Sequence, residues 1–189
     1  MYHIIVNSKR VKGENDENLV TVRQVFDRAG KQYELHFTEH HGHAREIAEE
    51  LTKSGEKVRL IAMGGDGTLH EVLNGVTYPD RCKLGVIPVG SGNDFAAAVG
   101  IPEENIKYAA QIIAFRAPVF IDYIQLSSGL RSVNAVGCGM DVDVLKRAYA
   151  ARLNGKSKYM YGFFMSFFGY KARRFAIEID GGERKQFNG

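Results

Sequence analysis

A chain of 189 residues that is 44 % hydrophobic and 25 % charged can fill a packed core, which excludes a disordered polyelectrolyte. A formal net charge of +3 carries no argument for a polyanionic partner, and no apolar run reaches the length of a membrane-spanning helix. The two cysteines, Cys82 and Cys138, lack metal-knuckle spacing and point to a reducing compartment, hence a cytoplasmic protein.

The chain opens directly on an apolar strand, 3–7, with no leader pattern before it. Helix 16–29, strand 33–37, helix 43–53 and strand 58–63 follow, then helix 68–76, strand 84–87 and helices near 93–99 and 105–114. Strands alternating with helices predict a doubly wound, mostly parallel α/β sheet. After Pro118 the pattern changes. Residues 119–126 and 131–136 read as strands joined by Ser127-Ser128-Gly129, followed by helices 141–152 and 157–170 and strand 175–179. The expected division is an α/β domain over 1–125 and the start of a second, β-rich domain over 126–189.

Two glycine loops carry the chemistry. The strand Val58–Met63 runs into Gly64-Gly65-Asp66-Gly67-Thr68, and a helical stripe of Leu69, Val72, Leu73 and Val76 begins at once. Strand, glycine loop, helix is a layout that offers backbone N–H groups and a helix N-terminus to a phosphate. A bare carboxylate repels phosphate, so Asp66 makes sense beside a metal ion or bound water, which points to a nucleoside triphosphate. The plainer alternative is a capping box of Thr68 and Glu71 that only starts the helix. The second loop, Val89-Gly90-Ser91-Gly92-Asn93-Asp94, follows the strand Leu84–Pro88 and precedes a helical pattern. Both loops belong on one edge of a parallel sheet, where ligands of such sheets bind. In the second loop, too, Asn93 or Asp94 could serve simply as a cap.

The segments Gly64-Gly-Asp-Gly-Thr-Leu-His-Glu-Val-Leu-Asn-Gly75 and Leu84-Gly-Val-Ile-Pro-Val-Gly-Ser-Gly-Asn-Asp-Phe-Ala96 together resemble the diacylglycerol kinase catalytic domain family, which includes bacterial lipid kinases and sphingosine kinases. Weaker matches lie at Asn7, at Thr38 with Gly42-His43-Ala44, at Ile121-Asp122 and at Asn134–Asp141. The first motif alone is shared with NAD kinases and phosphofructokinases; the second makes the lipid-kinase resemblance specific. The resemblance implies nucleotide contacts at Asn7, Thr38, Gly64, Gly65, Asp66, Gly67, Thr68, Leu69, His70 and Ser91. It also implies an acidic network of Asp66, Asp94 and Asp122 that organises Mg²⁺ and water, directly or indirectly. The implied activity is transfer of the γ-phosphate of ATP to the hydroxyl of diacylglycerol or a related lipid. An NAD kinase-like phosphotransferase and a non-catalytic nucleotide- or lipid-binding fragment are the alternatives.

The sequence departs from the family's pattern in places. Ser8-Lys9-Arg10-Val11 intervenes between Asn7 and Gly13, His70 stands for a frequent asparagine, and Ser91 keeps the hydroxyl of a frequent threonine. Family members are longer, and the resemblance puts their general base beyond residue 189, so this chain alone is expected to be a weak or inactive kinase. Asp180-Gly181-Gly182-Glu183 reads as a hairpin turn rather than a catalytic motif.

Ala150-x-x-x-x-Gly155-Lys156-Ser157 follows a helix, not a strand, and is a chance likeness to a P-loop. His40, His41 and His43 lack a ligand set and read as an exposed or nucleotide-adjacent cluster. No acid occurs from Val144 to Ile177, while Lys146, Arg147, Arg152, Lys156, Lys158, Lys171, Arg173 and Arg174 flank the aromatic run Tyr159–Tyr170. Such a segment suits peripheral contact with an anionic membrane surface or an acyl pocket, and equally a core helix with solvated basic ends. Nucleic-acid binding fits less well, since no recognised module accompanies the charge. A homodimer is left open.

Overall fold

A computed structural model describes residues 1–102, 105–151, 153, 157–168 and 174–188. The chain divides into two compact units, Met1–Ala135 and Val136–Gly189.

The first unit is built on four parallel strands, β1 (Tyr2–Val6), β2 (Tyr33–Phe37), β3 (Val58–Gly64) and β4 (Cys82–Pro88), in the order β2-β1-β3-β4. Along β1 and β3, successive side chains enter opposite layers. Ile4, Val6, Ile61 and Met63 pack with α1 (Glu17–Arg28) and α5 (Ile106–Phe115). Ile5, Leu60 and Ala62 pack with α2 (His43–Thr52) and α3 (Asp66–Gly75). Where both faces are covered a strand must be apolar, which is why Ile4–Val6 and Leu60–Met63 read as unbroken hydrophobic runs. Helix α1 shows the opposite economy. It buries only Leu19, Val22, Val25 and Phe26, starts where the Asp16 carboxylate accepts from the Asn18 N–H, and ends on Arg28.

Helices α2 and α3 approach closely at Gly75, where a Cβ would lie 2.1 Å from the Arg45 carbonyl oxygen. A short 3-10 turn, Pro79–Arg81, leads into β4, and α4 (Asp94–Ala98) is a single short helix. The strands expected over 119–126 and 131–136 shrink to two-residue pieces, β5 (Ile124–Gln125) and β6 (Arg131–Ser132), paired antiparallel. Alternation makes a lasting ribbon only where neighbours cover it; here Val119 and Phe120 are almost fully exposed. The hairpin is instead anchored to α3. The Asn74 side chain exchanges two hydrogen bonds with the Arg131 backbone, and the Arg131 guanidinium donates to the Leu73 and Val76 carbonyls.

The second unit contains α6 (Met140–Ala150), α7 (Ser157–Phe167) and an antiparallel hairpin of β7 (Arg174–Ile177) and β8 (Lys185–Asn188). Helices α6 and α7 meet at Gly162, where a Cβ would stand 2.4 Å from the Val144 carbonyl oxygen. In the β7–β8 connection, the Gly182 N–H donates to the Ile179 carbonyl across Asp180 and Gly181, both at positive φ. Asp180-Gly181 is therefore a turn, as its sequence suggested. Gly155-Lys156 of the P-loop-like string lies outside the described residues, but the string joins two helices and follows no strand. No described helix is long and apolar enough to cross a membrane.

Candidate functional site

The C-terminal ends of β1, β3 and β4 bring the two glycine loops together. Helix α3 starts earlier than the capping-box reading places it. Its N-cap is Gly65, which offers no side chain, and Thr68 sits buried in the first turn. Thr68 Oγ1 accepts from Asn7 Nδ2 at 2.7 Å, so the hydroxyl ties the helix to the end of β1 rather than capping it. Gly64 is required there: a Cβ would fall 2.3 Å from that same hydroxyl. Glu71, the other half of the supposed box, meets the His41 imidazole instead.

Asn7 works as a hub. Its Oδ1 accepts from the Lys9 N–H, its carbonyl accepts from Arg10 and Val11, and its own N–H reaches the Met63 carbonyl. Thr38, at the end of β2, joins the same edge, accepting from the Ser8 N–H at 3.3 Å. Asn7, Thr38, Thr68 and Gly64 are thus gathered by the sheet and by local hydrogen bonds.

The two loops cross backbone on backbone. A Cβ on Gly90 would lie 2.4 Å from Gly65 Cα. The second loop is shaped by Asn93, which is buried in the left-handed conformation at φ 57° and clasps both the N–H and carbonyl of Gly90. Asparagine tolerates that conformation better than most residues. Asn93 stands at the N-cap position of α4, but its side chain makes no capping bond. The acceptor comes from the other loop: Asp66 Oδ1 takes the Phe95 N–H at 3.2 Å, with Asn134 Nδ2 at 3.5 Å. One carboxylate thereby joins both loops, and its other oxygen faces the space over Gly92, 3.0 Å from where a Cβ there would be.

Asp94 also borders Gly92 and is exposed. Asp122 lies exposed in the irregular stretch 116–123 and forms no hydrogen bond or ion pair with Asp66 or Asp94 among the described residues. Ser91, Gly67 and His70 are exposed at the same edge, whereas Leu69 is buried core. A cleft between the start of α3 and residues 132–134 is lined by Asp66, His70, Ser132 and Asn134 among others. Mg²⁺ takes one or two carboxylates and fills its remaining positions with water and phosphate oxygens. The free Asp66 oxygen and exposed Asp94 suit that role.

The histidine cluster serves loop geometry. His40 stacks on His43 with ring centroids 4.8 Å apart, and His43 Nδ1 accepts from the Glu39 N–H. Sequence reasoning did not find the Asn93 clasp or the role of Asn74. Asn93 in a Gly-Ser-Gly-Asn-Asp string was a usable signal for a left-handed residue, whereas nothing local announced that Asp66 would cap a helix 28 residues further on.

The Diacylglycerol kinase catalytic domain family model matches residues 1–126. The chain is similar to the diacylglycerol kinase of Bacillus subtilis (strain 168), 42 % identical over 124 residues, covering 65 % of this chain and 40 % of that protein. It is also similar to the diacylglycerol kinase of Staphylococcus haemolyticus, 40 % identical over 102 residues, covering 53 % and 31 % respectively. The chain thus spans less than half the length of these curated relatives. A crystal structure of a diacylglycerol kinase from Bacillus anthracis str. Sterne superposes with a TM-score of 0.71 at 27 % identity, covering 99 % of this chain and 61 % of that one.

Proposed function

The chain belongs to the diacylglycerol kinase catalytic domain family, and from that premise we propose that it binds ATP with Mg²⁺ at the loop edge of its parallel sheet. In this reading it serves an ATP-dependent lipid kinase acting on diacylglycerol or a related lipid. Nucleotide binding belongs to residues 1–125, and the lipid-facing part begins in 126–189. The lipid hydroxyl oxygen attacks the γ-phosphorus, the bond from the γ-phosphorus to the β–γ bridging oxygen breaks, and ADP leaves. A base outside this chain takes the hydroxyl proton. Phosphoryl transfer asks for alignment and charge neutralisation more than covalent help. Asn7, Thr38 and Gly64 shape the first loop, while Gly65 and Gly67 leave the backbone at the start of α3 open to approach. Ser91 and His70 flank the phosphates. Asp66 and Asp94 would hold Mg²⁺, and the family resemblance alone adds Asp122 to their acidic network; bound there, the ion would neutralise charge on the phosphates.

The observation that carries this reading is Gly67. It is exposed in the first turn of α3, and a Cβ there meets nothing within 4 Å. The fold therefore has no steric need for glycine at this position, and glycine within a helix costs up to about 1 kcal/mol relative to alanine. A ligand that approaches the backbone explains the residue. Gly67→Ala is expected to leave the melting temperature unchanged or raised while weakening Mg·ATP binding by at least roughly tenfold, about 1.4 kcal/mol. Unchanged affinity by calorimetry would remove the proposal's main support.

Peripheral membrane contact at the cytoplasmic face is part of the same proposal. Helix α7 buries Gly162 and Ser166 and leaves Tyr159, Met160, Phe163, Phe164 and Phe167 exposed, with Lys158 over the rings of Tyr149 and Tyr159. Aromatic rings beside cations favour an anionic interface.

A further inference from the structure

Far from the glycine loops, near the start of β1, two imidazoles and a carboxylate converge on one face of the sheet. His3 and Glu34 are register partners on β1 and β2, and His36 stands two residues further along β2, opposite Ile5. We propose that His3, Glu34 and His36 form a binding site for a zinc-like divalent cation that fastens the edge strand β2 to β1. The proposal stands apart from the kinase reading: His3 lies four residues, about 13 Å of strand, from Asn7.

The geometry carries it. His3 Nδ1 lies 3.1 Å from His36 Nε2 and 3.4 Å from Glu34 Oε2, and His36 Nε2 lies 3.9 Å from Glu34 Oε2. Zinc binds nitrogen and oxygen ligands at about 2.0–2.2 Å in a tetrahedron, so neighbouring ligand atoms stand about 3.4 Å apart. The three distances bracket that edge. Among the described residues this is the group of three ligand atoms that meets such spacing, all within 4.8 Å of one another. A hydrogen-bonded reading accounts for less. One N–H between the two rings satisfies one nitrogen lone pair and leaves the carboxylate at a loose contact, whereas one cation takes a lone pair from each ligand atom.

The surroundings suit a metal. Both imidazoles are largely covered, with side-chain exposures of 15 % and 19 %, and Glu34 is half open at 53 %. The carboxylate side thus gives entry and room for water as the fourth ligand. Two imidazoles with one carboxylate form a donor set that zinc accepts in known sites. The ligands sit on adjacent hydrogen-bonded strands, so little ordering is needed to bring them together. Such a clasp would act at the edge of the sheet, where β2 has β1 as its neighbour.

The test is calorimetry of the whole chain, stripped with chelator, against Zn²⁺ alone, with Co²⁺ absorption as a report of tetrahedral ligation. One equivalent is expected to bind and to raise the melting temperature. His36→Gln should lose that equivalent. Should His36→Gln fail to fold by circular dichroism, Glu34→Gln alters a half-open side chain, removes one of the three ligands and should clearly weaken Zn²⁺ binding. Cys138→Ser and His41→Gln should leave binding unchanged. No bound equivalent, or an equivalent that survives the His36 and Glu34 changes, or one that is lost with Cys138 or His41, overturns the proposal. Since Zn²⁺ binding is read without nucleotide or lipid, a failure here says nothing against the kinase reading, and the reverse.

Discussion

Asp66 is one carboxylate with two engagements. One oxygen caps α4 through the Phe95 N–H, and the other faces the space over Gly92. The two roles separate by substitution. Asp66→Asn keeps an acceptor for the cap, so its stability should stay close to that of the parent, while turnover in an active longer form falls by orders of magnitude. Asp66→Ala loses the cap as well and should unfold about 1 kcal/mol earlier. Denaturant melts beside a radiolabelled-ATP assay give the answer; near-normal turnover in Asp66→Asn would make the residue structural. Cys82 presents the opposite situation. Burial pushes its thiol up to about 11 from an ordinary 9.0, with a Leu60 backbone hydrogen bond opposing. The folded state holds the proton more tightly, so this stabilisation is complete below pH 9.0 and fades as pH rises from there toward 11. Cys138 is exposed. An aromatic disulfide reagent at neutral pH should count one fast thiol in the native chain and two in guanidinium, and two fast native thiols would contradict the burial of Cys82.

At the scale of elements, the site is made by junctions rather than by helices or strands alone. Gly65 and Gly90 allow two loops to cross, and the Asn93 clasp holds the second loop in a shape that a helix N-cap does not demand. Helix α7 poses a different question. A soluble helix usually buries a broad apolar stripe, yet α7 buries only Gly162 and Ser166 and exposes aromatic residues on its other sides. The basic residues Lys146, Arg147 and Lys158 lie on this helix pair and Arg174 opens β7, while Arg152, Lys156, Lys171 and Arg173 of the expected basic set lie outside the described residues. Each basic group near an anionic surface contributes about 1 kcal/mol, less at higher salt. Phe164→Ser with Phe167→Ser should therefore reduce co-sedimentation with phosphatidylserine vesicles several-fold, and added salt should reduce it further. Binding that ignores both changes would assign the exposed face to an apolar protein partner or to further chain.

At the scale of the whole molecule, the proposed nucleotide edge with Asp66 and Asp94 lies within residues 1–189, while the family resemblance puts the base outside them. The expected outcome is Mg·ATP binding without robust lipid phosphorylation, checked by calorimetry and radiolabelled ATP on the same preparation. Brisk turnover would require a base within the chain, with Asp180 the first to test. The parallel α/β sheet was legible because Leu60–Met63 and Val86–Pro88 are apolar at every position, which a strand covered on both faces requires. The first glycine loop was legible because its glycines and acid sit where that run gives way to a 3.6-residue period. The 119–126 and 131–136 strands were not, since alternation cannot say whether a neighbour exists to cover it. Local sequence thus determined the strands and helices of the parallel sheet and the glycine loops between them, because periodicity and backbone permissiveness act over a few residues. Tertiary structure alone decided that Thr68 bonds Asn7 rather than capping α3, that Asp66 caps α4 across 28 residues, and that His3, Glu34 and His36 meet. Those partners come together only through strand order and register, which no short window of sequence contains.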